Sequence, residues 1–216
     1  MKKKTFSCFF IPYAVFAVIW FSLIVIYEKG ELHLMLNLYR SPFLDTFFTY
    51  FTQMGASIPF VIVVVYLFLR INKSFYLLIT LLVNALLTKG LKWFFGVPRP
   101  KIFFEENFPD VALQFVEGIK IHTANSFPSG HTSAVFATMT CITLMSHNRY
   151  IAFFCLVLAV VAAYSRIYLS QHFAEDIMLG SIVGMTTALA IYPLYLTSKS
   201  IAWTNKSLIS ILKIKA

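Results

Sequence analysis

Charge is what this 216-residue chain has least of: Asp, Glu, Lys and Arg make up 12% of it, about half the share of an average soluble domain. Only nine residues are acidic. Disordered and nucleic-acid-coating chains need far more charge, and a collagen-like chain needs far more than the eight glycines present. The three cysteines (Cys8, Cys141, Cys155) sit inside apolar blocks without zinc spacing, which excludes a disulfide framework and a zinc module. They read as small core residues. What abounds is apolar: 59% of the chain is hydrophobic and the mean hydropathy is +0.76. The apolar residues come in long blocks, so a water-soluble domain does not fit and the fold class is an all-α polytopic membrane protein.

A bilayer core takes about 20 mostly apolar residues per helix. The first block, residues 6–27, follows Lys2-Lys3-Lys4; no small-x-small cleavage site follows it, so a retained span is expected rather than a signal peptide. Residues 28–55 mix aromatics with Arg40, Asp45 and Gln53 and read as an interfacial or re-entrant segment. Further spans are expected over 57–69, 75–95, 129–145, 150–165 and 175–196, the last with Gly180 and Gly184 at close-packing spacing. Residues 96–128, with Pro98, Pro100 and Pro109, form the one long polar loop; a basic tail follows residue 199, and its last stretch, 208–214, is expected at a membrane surface. The sum is one domain, residues 1–216, with six spans.

Six spans put both termini on one side. Ten cations and no acid fall there (Lys2, Lys3, Lys4, Arg70, Lys73, Arg149, Lys199, Lys206, Lys213, Lys215), against eight cations and all nine acids on the other. The positive-inside rule places the termini in the cytoplasm. It also explains the net charge of +9 without a nucleic-acid partner.

Three clusters then meet at the outer face. Lys92 and Arg99-Pro100 end the third span; Pro128-Ser129-Gly130-His131 opens the fourth; Ser165-Arg166, His172 and Asp176 lead into the sixth. Their chemistry suits phosphate transfer. Lys92, Arg99 and Arg166 bring positive charge, and guanidinium forks match phosphate oxygens. Ser129 and Gly130 precede a helix, whose starting amides can face an anion. His172 and Asp176, at i and i+4, let a carboxylate hold the imidazole in one tautomer, which makes His172 a nucleophile or base. His131 is the second histidine, a proton donor to the leaving oxygen. Singly these residues have plainer readings: a snorkelling lysine, a helix start, a packing histidine. His33, His122 and His147 have no partner motif and keep the plain one. A Pro-Ser-Gly-His string arises by chance in about one chain in a thousand of this length, however, and here it stands between the two other clusters.

In these three motifs the chain resembles the type 2 phosphatidic acid phosphatase (PAP2) superfamily, whose pattern is Lys-x6-Arg-Pro, Pro-Ser-Gly-His and Ser-Arg-x5-His-x3-Asp; the motif core runs from about residue 84 to 184. The resemblance implies a metal-independent phosphomonoesterase or pyrophosphatase with no cofactor; the tally of cations adds the expectation that it sits in a bacterial inner membrane with its site on the periplasmic face. The resemblance also implies that His172 attacks phosphorus to form a phosphohistidine, Asp176 orients it, His131 protonates the leaving alkoxide, and Lys92, Arg99, Arg166, Ser129 and Gly130 hold the phosphoryl oxygens. The substrate class is a lipid phosphate. The loop at 116–131 is similar to that of Bacteroidetes-type members, which include lipid A 4′-phosphatases; undecaprenyl pyrophosphate and phosphatidylglycerophosphate phosphatases carry the same motifs. From other classes, a vanadium haloperoxidase shares the phosphate pocket but is soluble, and a transporter or structural membrane protein has no need of Pro-Ser-Gly-His.

Overall fold

The computed structural model describes residues 3–214; Lys2 and Lys215, two of the ten terminal cations, lie outside them. Every regular element among the described residues is helical. They are α1 (Lys3–Ile26), α2 (Lys29–Leu36), α3 (Pro42–Phe51), a 3-10 turn (Thr52–Gly55), α4 (Ile58–Leu69), α5 (Ile71–Phe95) and α6 (Pro100–Asn107). Then follow α7 (Gly130–Met145), α8 (Arg149–Tyr168), α9 (Ala174–Ser198), a second 3-10 turn (Ala202–Asn205) and α10 (Leu208–Ile214).

Local chemistry sets the ends. Ser41 caps α3 by accepting from the Leu44 amide at 3.2 Å, and Pro42 follows at the position where its missing N–H costs nothing. Asn148 caps α8 in the same way through Tyr150 (2.8 Å). α5 stops at Gly96, whose φ of +59° is a left-handed cap that glycine adopts without strain. The polar stretch after it is not all loop: Arg99 is extended, Pro100 sits in the first turn, and α6 follows.

α7 is the hub. Nearly all of it is buried, and it packs on α5, α8 and α9. A cluster including Phe9, Tyr13, Phe136, Met139 and Ala159 joins it to α1, α8 and α9; Tyr76, Leu77, Leu81, Cys141 and Ala188 join it to α5 and α9. The Gly180–Gly184 expectation is met at this contact. A Cβ on Gly180 would lie 2.7 Å from the Ser129 carbonyl, and one on Gly184 would strike the Ser133 carbonyl.

The outer helices present apolar side chains outwards, as with Val18 (67% exposed), Ile26 (69%) and Leu86 (72%). This is the surface of a protein solvated by lipid. By length and apolarity α1, α5, α8 and α9 can each cross a bilayer. α4 has only 12 residues and continues α3 and the 3-10 turn through a 50° bend, so the pair makes a fifth span if taken as one broken helix. α7, with 16 residues, rises about 24 Å, short of the roughly 30 Å hydrocarbon core. The chain is thus a polytopic all-α membrane protein whose segment 28–55 is helical throughout most of its length.

Candidate active site

The end of α5 supplies Lys92, whose Nζ donates to the Asn125 carbonyl and, at 3.2 Å, to that of Ser126. Two hydrogen bonds lay residues 97–99 beside residues 123–126: Arg99 N to Thr123 O (2.9 Å) and Ser126 N to Val97 O (2.8 Å). Arg99 then directs Nε to the Ala124 carbonyl at 2.9 Å and Nη1 to the Gln171 carbonyl (3.1 Å) and Oε1 (3.2 Å).

α7 begins beneath this loop. Ser129 is its N-cap, with Oγ accepting from the Thr132 amide (3.4 Å) and hydroxyl (3.0 Å). The Ser129 amide donates to the Asp176 carbonyl at 2.9 Å. It is therefore already committed, and the amides left to face an anion at this helix start are those of Gly130 and His131, which have no partner inside the helix. Lys92 approaches the same point: its Cε is 3.9 Å from where a Gly130 Cβ would stand.

α8 contributes Arg166 from its last turn, longer by three residues than the sequence suggests. The side chain is 6% exposed; Nη1 donates to the Thr52 hydroxyl at 2.8 Å, and Nε has no partner among the described residues. The α8–α9 link then folds back, with the Gln171 and His172 amides donating to the Arg166 carbonyl (2.9 and 3.2 Å). This turns His172 onto Asp176 in the first turn of α9, Nδ1 to Oδ2 being 3.1 Å. Both side chains are buried.

Electrostatics decide the state of that pair. Burial first, and then the charges of Arg99, Arg166, Lys92 and His131, push His172 well below the ordinary histidine pKa. Its ring is neutral, so the contact is a hydrogen bond from Nδ1–H to a carboxylate rather than an ion pair. Nε2 keeps its lone pair. A buried, oriented, neutral imidazole beside three cations has the make-up of a nucleophile facing a site for an oxyanion.

All the residues named from sequence, Lys92, Arg99, Ser129, Gly130, His131, Arg166, His172 and Asp176, converge at this end of the bundle. Three neighbours had not been named. Ser126 donates to Asp176 Oδ2 at 2.5 Å, Gln171 holds Arg99, and Thr52 holds Arg166. Ser126 and Gln171 stand two residues or fewer from motif residues, which is a local signal. Thr52 has none, being 114 positions from its partner. His122 is exposed near the cations; partial burial and then the charges of Arg99, Lys120, Arg166 and Lys92 hold its pKa down. His33 is a buried packing histidine against Phe104 and Phe173. Among the described residues no three His, Cys, Asp or Glu side chains gather as metal ligands.

These features define an integral-membrane helical bundle with a cluster of cations around a His–Asp pair. The PAP2 superfamily profile matches residues 73–200, and the chain belongs to that superfamily. It is 28% identical over 165 residues to lipid phosphate phosphatase 2 of Arabidopsis thaliana, covering 62% of this chain and 57% of that protein. To the lipid A 4′-phosphatase of Porphyromonas gingivalis it is 26% identical, over 83% of this chain and 77% of that one. The crystal structure of Aquifex aeolicus LpxE superposes with a TM-score of 0.64 at 27% identity, covering 79% of this chain and 98% of that chain.

Proposed function

We propose that the chain is a lipid phosphatase that hydrolyses a phosphomonoester or pyrophosphate at the periplasmic face of a bacterial inner membrane, acting as one PAP2-type domain. The observation that carries this reading is the neutral, buried His172 hydrogen-bonded through Nδ1 to Asp176, in the field of Lys92, Arg99 and Arg166. Nε2 attacks phosphorus; the P–N bond forms as the bond to the leaving oxygen breaks, and His131 gives that oxygen its proton. Water then attacks the phosphohistidine, His131 takes back a proton, and phosphate leaves with His172 neutral again. Lys92, Arg99 and Arg166, with the free amides of Gly130 and His131 at the start of α7, hold the phosphoryl oxygens, where the charge of the transition state spreads; the Ser129 amide is spent on the Asp176 carbonyl.

The substrate reading favoured is the phosphate of a lipid A-type glycolipid, supported by the P. gingivalis relative, which is matched over most of its length, and by the loop at 116–131. Undecaprenyl pyrophosphate and phosphatidylglycerophosphate are the alternatives. The groups around the phosphate site are cations and amides, with the one motif carboxylate held by His172, so no hard divalent cation is called for. The test is phosphate release by the purified protein in EDTA across lipid A, undecaprenyl pyrophosphate, phosphatidylglycerophosphate and phosphatidate. Turnover fastest on lipid A is expected. Turnover on none of the four overturns the phosphatase reading, and a requirement for magnesium overturns the metal-independent one.

A further inference from the structure

Asp176 is held unevenly. Its Oδ2 accepts three hydrogen bonds, from His172 Nδ1 (3.1 Å), the Phe173 amide (2.9 Å) and the Ser126 hydroxyl (2.5 Å), whereas Oδ1 is buried with no partner among the described residues. The carboxylate is thus oriented through one oxygen, by donors that approach it from different elements. Phe173 is the N-cap of the helix carrying Asp176. Ser126 comes from the loop that takes up Lys92 and Arg99, and its Oγ lies 3.3 Å from His172 Nδ1.

The backbone of Ser126 already fastens that loop: its amide donates to Val97 O and its carbonyl accepts from Lys92 Nζ. The side-chain hydroxyl is therefore not needed to hold the loop down. It is fully buried and directed at the carboxylate. Resting on the phosphatase reading above, we propose that Ser126 is a positioning residue for the reaction. Its hydroxyl clamps Asp176 Oδ2 opposite His172, so that Nδ1 keeps its hydrogen and Nε2 is the nitrogen presented to phosphorus. Because the same residue takes a hydrogen bond from Lys92, the clamp also ties the register of the nucleophile to that of a phosphate-facing cation.

A residue acting through the attacking imidazole slows attack on every phosphate alike and leaves binding alone. Ser126→Ala is expected to lower kcat by about 10- to 100-fold, the scale of one hydrogen bond to a charged group, with KM changed by less than about twofold. The factor should be the same on a lipid phosphate and on an activated aryl phosphate, and Ser126→Thr, which restores a hydroxyl, should regain most of the rate. If Ser126→Ala does not fold, the same split is read on Ser126→Cys, which keeps the volume and weakens the donor. A kcat within about twofold of the parent, a loss carried by KM, or a threonine variant no better than alanine overturns the proposal. The parent protein and His172→Ala are assayed alongside: no turnover by the parent overturns the phosphatase reading itself, whereas turnover that needs His172 and is indifferent to Ser126 overturns only the clamp.

Discussion

Two histidines stand at this site, one at the start of α7 and one in the link that leads into α9, and the proposed reaction gives them different work. His172 is buried and fixed through Nδ1, with cations lowering its affinity for a proton, which suits attack. His131 sits one residue into α7, half-buried, with its carbonyl against Gly55. Removing them should therefore give unlike defects. His172→Ala is expected to abolish turnover on all substrates, since no phosphoenzyme forms. His131→Ala should cost roughly 100-fold or more on a lipid phosphate, whose alkoxide leaving group needs a proton, and much less on an aryl phosphate, whose leaving group does not. Steady-state rates on the two substrates check this, and equal losses for His131→Ala would contradict the roles.

At the scale of elements the site depends on how closely α7 and α9 approach, because Ser129 at the start of one donates to Asp176 at the start of the other. Gly180 and Gly184 permit that approach by leaving room for the Ser129 and Ser133 carbonyls, which cannot move aside as a flexible side chain would. Gly184→Ala is expected to push the helices apart and destabilise by about 1–3 kcal/mol, seen as a lower thermal midpoint in detergent together with reduced activity. Gly90 is the control within the same bundle. It lies inside α5, five residues before its end, a Cβ there meets nothing within 4 Å, and Gly90→Ala should be neutral or stabilising by about 0.5–1 kcal/mol. A thermal midpoint unaffected by Gly184→Ala would refute the close-packing account.

The whole molecule has two unlike ends. At one end lie the start of α1, where Cys8 and Pro12 share a cleft with Arg149, and the start of α5, where the Ile71 amide donates to the Lys206 carbonyl (3.1 Å) and Asn72 to Asn205 (2.8 Å). At the other lie the three motifs, with Thr52 on Arg166 and Trp20 of α1 donating to the Ala174 carbonyl at 3.1 Å. α4 connects the two, from Gly55 beside His131 to Arg70 beside the tail. If the cation-rich end is cytoplasmic, the site is periplasmic. A cysteine at Asn107, exposed at the end of α6, in a variant lacking the native cysteines, should react with an impermeant maleimide in intact spheroplasts. Labelling only after lysis would reverse the orientation and the choice of lipid pool.

The sequence by itself determined the membrane class and the helical content, and its three motifs picked out eight residues that the fold brings to one end of the bundle, because block hydropathy and short fixed spacings are local properties that survive without a fold. Asp176 four residues beyond His172 suggests a contact on one helix face; the contact forms, but from the link before α9, where the bonds of the Gln171 and His172 amides to the Arg166 carbonyl turn the ring onto the carboxylate. The Gly180–Gly184 spacing likewise anticipated a tight helix pair. Other features were outside its reach. α6 lay hidden in the polar loop because its start depends on Arg99 being held extended against Thr123. The bend between α3 and α4 carries Thr52 to Arg166 across 114 residues, and nothing near either residue encodes that meeting. Ser129 looked like an amide donor to an anion until α9 packed on α7 and its amide went to Asp176. Ser126 looked like loop until the same packing set its hydroxyl on the carboxylate. In each case the missing information is a long-range contact, and which donors remain free at a site is settled only when every helix around it has taken its share.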